Sequence, residues 1–180
     1  MRQNGKNSYI SGLVFIILIT TVIYFIFYFA KGITGERFPN LEGPYEVVRV
    51  IDGDTIVVNI QGKERNIRLI GVDTPESIAD DDYKENTKEG TEASRYTHDM
   101  LDGKKVYLEY DKEQYDTYGR KLCYVYLGDD KTLFNEILLE EGYARIMTIE
   151  PNTKHESRFV AAEEKAKKAG NGFWGTGFFK

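Results

Sequence analysis

Residues 10–30 contain no charged side chain, and that single run divides the chain into two parts with different solvents. At about 1.5 Å per residue it is long enough to cross a hydrocarbon core of roughly 30 Å as a helix. Tyr9, Tyr24 and Tyr28 offer hydroxyls for an interface. A cleaved leader has a shorter apolar core, of about 7 to 15 residues, and a small residue at −3 of the cleavage site. Here Tyr28 stands three residues before Lys31. The expectation is therefore a short segment over 1–8, one transmembrane helix over 9–30 and a linker over 31–44, with secretion after cleavage as the alternative. Arg2 and Lys6 precede the run, and Lys31 and Arg37 follow it. That slight bias favours the N-terminus inside and the large domain on the extracytoplasmic side.

The remainder is polar and acidic. Residues 31–180 hold 22 of the 24 Lys and Arg and all 29 Asp and Glu, a net charge of −7. A globally basic surface, the usual source of affinity for nucleic acid, is excluded. Any such partner would have to be held by a local cluster with a cation. One Cys, Cys123, excludes an internal disulfide and a cysteine-based zinc cluster. His98 and His155 are the only histidines, so metal chemistry falls to oxygen ligands, which suit calcium or magnesium.

Alternating Val, Ile and polar residues predict strands over 45–51, 54–60 and 64–72, with turns at Asp52-Gly53 and Gln61-Gly62. Two more strands are predicted over 105–110 and 121–127. Helices are predicted over 91–101, over 132–141 before Gly142, and from a capping box at Thr153–Glu156 through Lys168. Residues 77–90, with three Asp at 80–82, read as a loop. Five strands and about three helices over 45–176, with a short tail at 177–180, suit an α+β, mainly β domain. The expected architecture is a five-stranded OB-type Greek-key barrel; an ordinary α+β sheet is the alternative.

Three clusters carry candidate chemistry. Asp52-Gly53-Asp54-Thr55 presents carboxylates at a strand turn, although taken alone a plain polar hairpin is the better reading. It is not an EF-hand, because Ile56 and Lys63 fall where oxygen ligands are required. Arg68 sits between Ile67 and Leu69, where a charge is costly unless it is paired or faces a site. Asp73, Thr74, Pro75 and Glu76 end that strand. Strict alternation puts Arg68 and Asp73 on opposite faces, so a shared site demands a bend near Gly71; a structural Arg–Asp pair is the other reading. Asp116-Thr117-Tyr118-Gly119-Arg120 offers a guanidinium fork for a phosphate, or a polar turn. Together the clusters supply a cation site, a carboxylate to handle water and two guanidiniums, which is what phosphodiester hydrolysis needs.

These motifs resemble the staphylococcal nuclease (thermonuclease) family. The matching stretches are residues 50–55, 68–76 and 118–120, with further likeness at 92–94, 135–144, 166–168 and 173–175. The resemblance implies a calcium-dependent endonuclease that cleaves DNA and RNA and leaves 3′-phosphate ends. It implies Asp54, Asp73 and the Thr74 carbonyl as calcium ligands, Arg68 and Arg120 as catalytic arginines, Glu76 as general base and Tyr118 as a nucleotide contact. A monomer is expected, with no protein partner and with the N-terminal run as its link to a membrane. The chain departs from the secreted relative at Thr117, where that protein has Lys. Around Met147–Glu150 two nucleotide-packing tyrosines are missing, and the loop after Glu76 is acidic. The departures imply weaker substrate capture. The rival to an enzyme is a non-catalytic binding module of the same barrel.

Overall fold

A computed structural model describes residues 19–21, 24, 41–77, 87–128 and 132–180. The chain separates into two compact units, Met1–Pro39 and Asn40–Lys180. In the first, the four described residues are helical. The transmembrane segment expected over 9–30 otherwise lies outside the described residues, among which no helix is long and apolar enough to cross a membrane.

The second unit is built on strands β1 (Leu41–Asp52), β2 (Thr55–Ile60), β3 (Lys63–Leu69), β5 (Lys105–Glu109) and β6 (Lys121–Leu127). The order is β3-β2-β1-β5-β6, and β3 pairs back onto β6 in parallel, so the five strands close into a barrel. Closure removes the exposed edges that an open sheet would present. The interior is filled by Val47, Ile56, Val58, Ile67, Leu69, Val106, Leu108, Cys123 and Val125, all essentially inaccessible to water. Two short strands, β4 (Gly71–Asp73) and β8 (Arg145–Met147), form a separate antiparallel pair, while β7 (Thr132–Leu133) adds to β6.

The helices are α1 (Lys88–Leu101), α2 (Phe134–Glu140), α3 (Glu156–Ala169) and α4 (Gly172–Thr176). Helix α1 buries Gly90, Ala93, Thr97 and Leu101, one face at helical spacing. It starts three residues before the expected position because Thr87 caps it, its hydroxyl accepting from Gly90 N–H at 2.8 Å. Thr97 Oγ1 donates to the Gly53 carbonyl at 2.7 Å, fixing the helix to the β1–β2 turn.

Several boundaries differ from expectation. The linker expected through residue 44 gives way at Leu41, because β1 continues and pairs Leu41 with Glu109, a register shift absorbing the Gly43-Pro44 step. The third strand ends at Leu69 rather than Val72. Residues 132 and 133 pair with β6 before α2 begins. Helix α3 starts with His155 in the cap position and with no side-chain cap bond. The Thr153–Glu156 box does not form; Glu156 N–H instead donates to the Thr153 carbonyl at 3.1 Å, and the His155 ring lies 2.7 Å from Glu109. The expected tail instead packs: Phe179 is buried, its ring 5.5 Å from that of Phe173 on the unforeseen α4.

Candidate active site

The bend that a shared Arg68–Asp73 site requires is present. Gly71 has φ of 79°, a conformation that disfavours residues with a side chain, and it opens β4 directly after Ile70, the one residue between β3 and β4. Asn135 of α2 braces the bend: its Nδ2 donates to the Ile70 carbonyl at 2.8 Å and its Oδ1 accepts from Val125 N–H at 2.9 Å. Ile70 N–H also donates to the Cys123 carbonyl at 3.0 Å. The chain therefore leaves the barrel at a fixed angle.

Arg68 then lies between two carboxylates. Its Nη2 is 3.1 Å from Asp54 Oδ2 and 3.7 Å from Asp73 Oδ1. Its Nη1 donates to the carbonyls of Leu69 and Val72, both at 2.8 Å. Asp54 is almost fully buried; its Oδ2 accepts from Thr74 N–H at 3.1 Å and its Oδ1 from the Thr55 hydroxyl at 3.0 Å. Burial raises its pKa against the lowering effect of Arg68 and of the bonds from Thr74 and Thr55. Asp73 is also gripped by Arg145 of β8, whose Nε and Nη2 donate to Oδ2 at 3.2 and 3.1 Å.

Asp52 adds another carboxylate. Burial pushes its pKa up to about 6; the bonds from Ser77 and Gly53 oppose that rise, while contact with Glu76 and the charge of Asp54 reinforce it. Negative charge is thus concentrated beyond what Arg68 and Arg145 balance, and a cation would relieve it. Glu76 is placed by the start of α1, since Thr87 N–H donates to its carbonyl at 3.2 Å. Gly90 packs so tightly on that carbonyl that a Cβ at this position would sit 1.9 Å from the oxygen.

Arg120 approaches from the β5–β6 connection. Its Nε donates to Asp116 Oδ2 at 2.6 Å, and Asp116 Oδ1 accepts from the N–H groups of Tyr118 and Arg120, both at 2.9 Å. Burial would raise the Asp116 pKa, but the Arg120 side chain and these two N–H groups hold it below the usual range. Among the described residues nothing bonds to Nη1 or Nη2 of Arg120, so the end of the fork faces open space.

One cleft of about 390 Å³ is lined by Asp54, Arg68, Asp73, Glu76 and Arg120, together with Asp52 and Asp116. Thr74 lies beside it through its bond to Asp54. Tyr118 does not line this cleft; it is 84% exposed on the far side of Arg120, its ring centre 5.6 Å from Cζ. Sequence reasoning did not single out Asp52 and Arg145 as site residues. Asp52 was visible in its motif, whereas Arg145 is 72 residues from its partner and carries no local signal. Asn152 was also missed; it clamps the cleft wall by bonding to both N–H and carbonyl of Glu113, at 2.9 and 2.8 Å.

The donor atoms around the cleft are oxygens, as a hard cation requires. Among the described residues no group of three or more Asp, Glu, His or Cys is arranged to hold a metal alone. Two carboxylates and the Thr74 main chain are available, and the Thr74 hydroxyl is buried without a hydrogen-bond partner. A cation held there would keep open positions for water or a phosphate.

Residues 66–176 match the family described as staphylococcal nuclease homologue. The thermonuclease of Staphylococcus hyicus is 48% identical over 136 residues, which are 74% of this chain and 76% of that protein. The thermonuclease of Staphylococcus intermedius is 44% identical over 133 residues, covering 72% and 75%. Endonuclease YncB of Bacillus subtilis is 40% identical over 128 residues, 70% of this chain and 59% of that protein. With its closed barrel and its cleft between β1, β3, β4 and the β5–β6 connection, the chain belongs to the staphylococcal nuclease homologue family.

Proposed function

We propose that the cleft hydrolyses phosphodiester bonds of DNA and RNA with calcium bound, releasing 3′-phosphate ends. The chain is a nuclease, a hydrolase acting on ester bonds. The observation that carries the finer reading is that Arg68, Arg120, Glu76 and the Asp54–Asp73 pair surround one cleft.

Asp54, Asp73 and the Thr74 carbonyl would hold the cation, which supplies Lewis-acid polarisation of the phosphoryl oxygen when bound. Glu76 takes the proton from the attacking water. Arg68 is fixed in the cleft wall by two carbonyls and two carboxylates, and there its charge stabilises the negative charge that develops on the phosphoryl oxygens. Arg120 presents the end of its fork to the same group. Water oxygen bonds to phosphorus, the bond to the 5′-oxygen breaks, and that oxygen takes a proton from solvent water as it leaves.

The test is a calcium titration of single-stranded DNA cleavage by the full chain. Cleavage is expected to be lost in excess EGTA. Glu76→Gln and Arg120→Ala should each lower kcat by at least about 100-fold with unchanged thermal unfolding. Undiminished activity in EGTA would remove the calcium assignment, and full activity in both variants would remove the site assignment. A binding module without chemistry would give no clearing in a DNA-containing gel.

The uncharged run at 10–30 supports attachment of the domain to a membrane on its extracytoplasmic side. An attached protein should stay in the membrane pellet in alkaline carbonate; a processed one would appear in the soluble fraction.

A further inference from the structure

A second cavity, of about 380 Å³, adjoins the cleft across Arg120. It is lined by Arg65, Asn66, Tyr115, Tyr118, Arg120 and Lys121, and Tyr115 and Arg120 line the cleft as well. The two spaces therefore share one aromatic ring and one guanidinium as walls.

The charges here do not follow those of the domain. Glu64, also on the cavity wall, is neutralised by Arg49 at 2.8 Å, and Asp116 by Arg120. Arg65 and Lys121 have no ion pair among the described residues. Lys121 Nζ lies 4.7 Å from the ring centre of Tyr115 and 4.9 Å from that of Tyr110, which positions a cation beside an aromatic face. Tyr115 is 51% exposed and Tyr118 84%, more than side chains of this size gain from if they serve only packing. Two cations without an ion pair and two exposed rings, each with a cation over one face, are the elements that hold single-stranded nucleic acid: cations follow the backbone and rings stack the bases. A duplex keeps its base faces buried and cannot use the rings. The arrangement also accounts for how an acidic domain captures a polyanion, since the local patch is cationic where the chain as a whole is not.

We propose that this cavity is a nucleotide subsite that takes the residue next to the scissile phosphate along a single strand, its base against Tyr115 and Tyr118 and its phosphate against Arg65 and Lys121. The inference rests on the nuclease reading for its substrate, but not for its test.

Binding is measured with the full chain carrying Glu76→Gln, in calcium, to a fluorescent decathymidylate, by anisotropy over a range of salt. Adding Arg65→Ala should weaken binding several-fold and reduce the salt slope by about one. Adding Tyr115→Ala should weaken it about five-fold or more with little change in slope. Arg65→Lys should restore the slope. In parallel, Arg65→Ala on the otherwise natural chain should lower kcat/KM more on the decanucleotide than on a dinucleotide, through KM. Unchanged affinity and slope in Arg65→Ala, or equal losses on both substrate lengths, would overturn the proposal while leaving the nuclease reading intact. Arg65-dependent binding without cleavage by the natural chain would sink the nuclease reading and keep the subsite. Absence of both binding and cleavage would defeat both.

Discussion

Replacing Gly90 with Ala separates local helix preference from the placement of Glu76. In an open helix, Gly to Ala stabilises by roughly 1 kcal/mol. At this position the new Cβ would lie 1.9 Å from the Glu76 carbonyl oxygen and 2.3 Å from its carbon, both main-chain atoms that cannot rotate away. Overpacking of this kind costs about 1–3 kcal/mol, so it offsets or exceeds the gain. Relief requires α1 and the Glu76 backbone to move apart by roughly 1 Å or more, a misplacement that can lower a rate by about 100-fold. We therefore expect Gly90→Ala to leave the melting temperature the same or a few degrees lower, while kcat on single-stranded DNA falls by one to two orders of magnitude. The assay pairs differential scanning fluorimetry with initial rates at saturating calcium. Gly103→Ala, at φ of 67° with no atom within 4 Å of the new Cβ, serves as the comparison for a glycine whose loss costs backbone strain alone and leaves Glu76 in place. A Gly90→Ala protein that melts higher and cleaves at the natural rate would refute the idea that the start of α1 positions the base.

The remaining expectations concern stability. Burial raises the pKa of Glu109, but bonds from His155, Lys154 and Tyr126 outweigh it and hold the group at about 2 against an ordinary 4.5. A depressed pKa contributes stability above the unfolded value that is lost as pH falls through the folded one, so about 3 kcal/mol should disappear between roughly pH 4.5 and 2. Glu109→Gln should flatten the fall in urea-unfolding free energy over that window; an unchanged acid limb would show that the contribution lies elsewhere. Asn135→Ala leaves the Ile70 carbonyl and Val125 N–H buried without their partner, which should cost about 2–5 kcal/mol in urea. A loss below about 0.5 kcal/mol would mean that the bend at Gly71 does not depend on it. Calcium should raise the melting temperature of the natural chain and do so far less in Asp54→Asn, because a ligand bound only to the folded state stabilises it. An equal shift in both would place the cation away from Asp54.

What could be read in the sequence followed from local periodicity. Strands β2, β5 and β6 are runs rich in β-branched, aromatic and other apolar residues, and their expected bounds hold within a residue. The requirement for a bend near Gly71 was likewise deducible, because Arg68 and Asp73 are an odd number of residues apart. Strands β4 and β8 are three residues each, too short for any pattern, and they find one another only through the fold. Gly90 reads as a helix breaker in sequence, yet it is kept inside α1 because only a missing side chain admits the Glu76 backbone. The same limit hid Arg145 and the Glu109–His155 contact, pairs that are 72 and 46 residues apart. Tyr118 was legible as a residue near the site, but its position across Arg120 from the cleft was not.

The parallel seam between β3 and β6 joins Ile67 to Lys121, residues that the chain cannot bring together by any local turn. The β1–β3 meander and the β5–β6 hairpin can each assemble within their own stretch, whereas this seam must wait for a long loop to close. Arg68 and Arg120 stand on its two sides. A chain still emerging during synthesis, or stalled before that last step, would hold every reactive side chain and no working centre. Cleavage would then report barrel completion, and in refolding its recovery should lag behind that of the hairpins, giving a cell a nuclease that stays silent until it is whole.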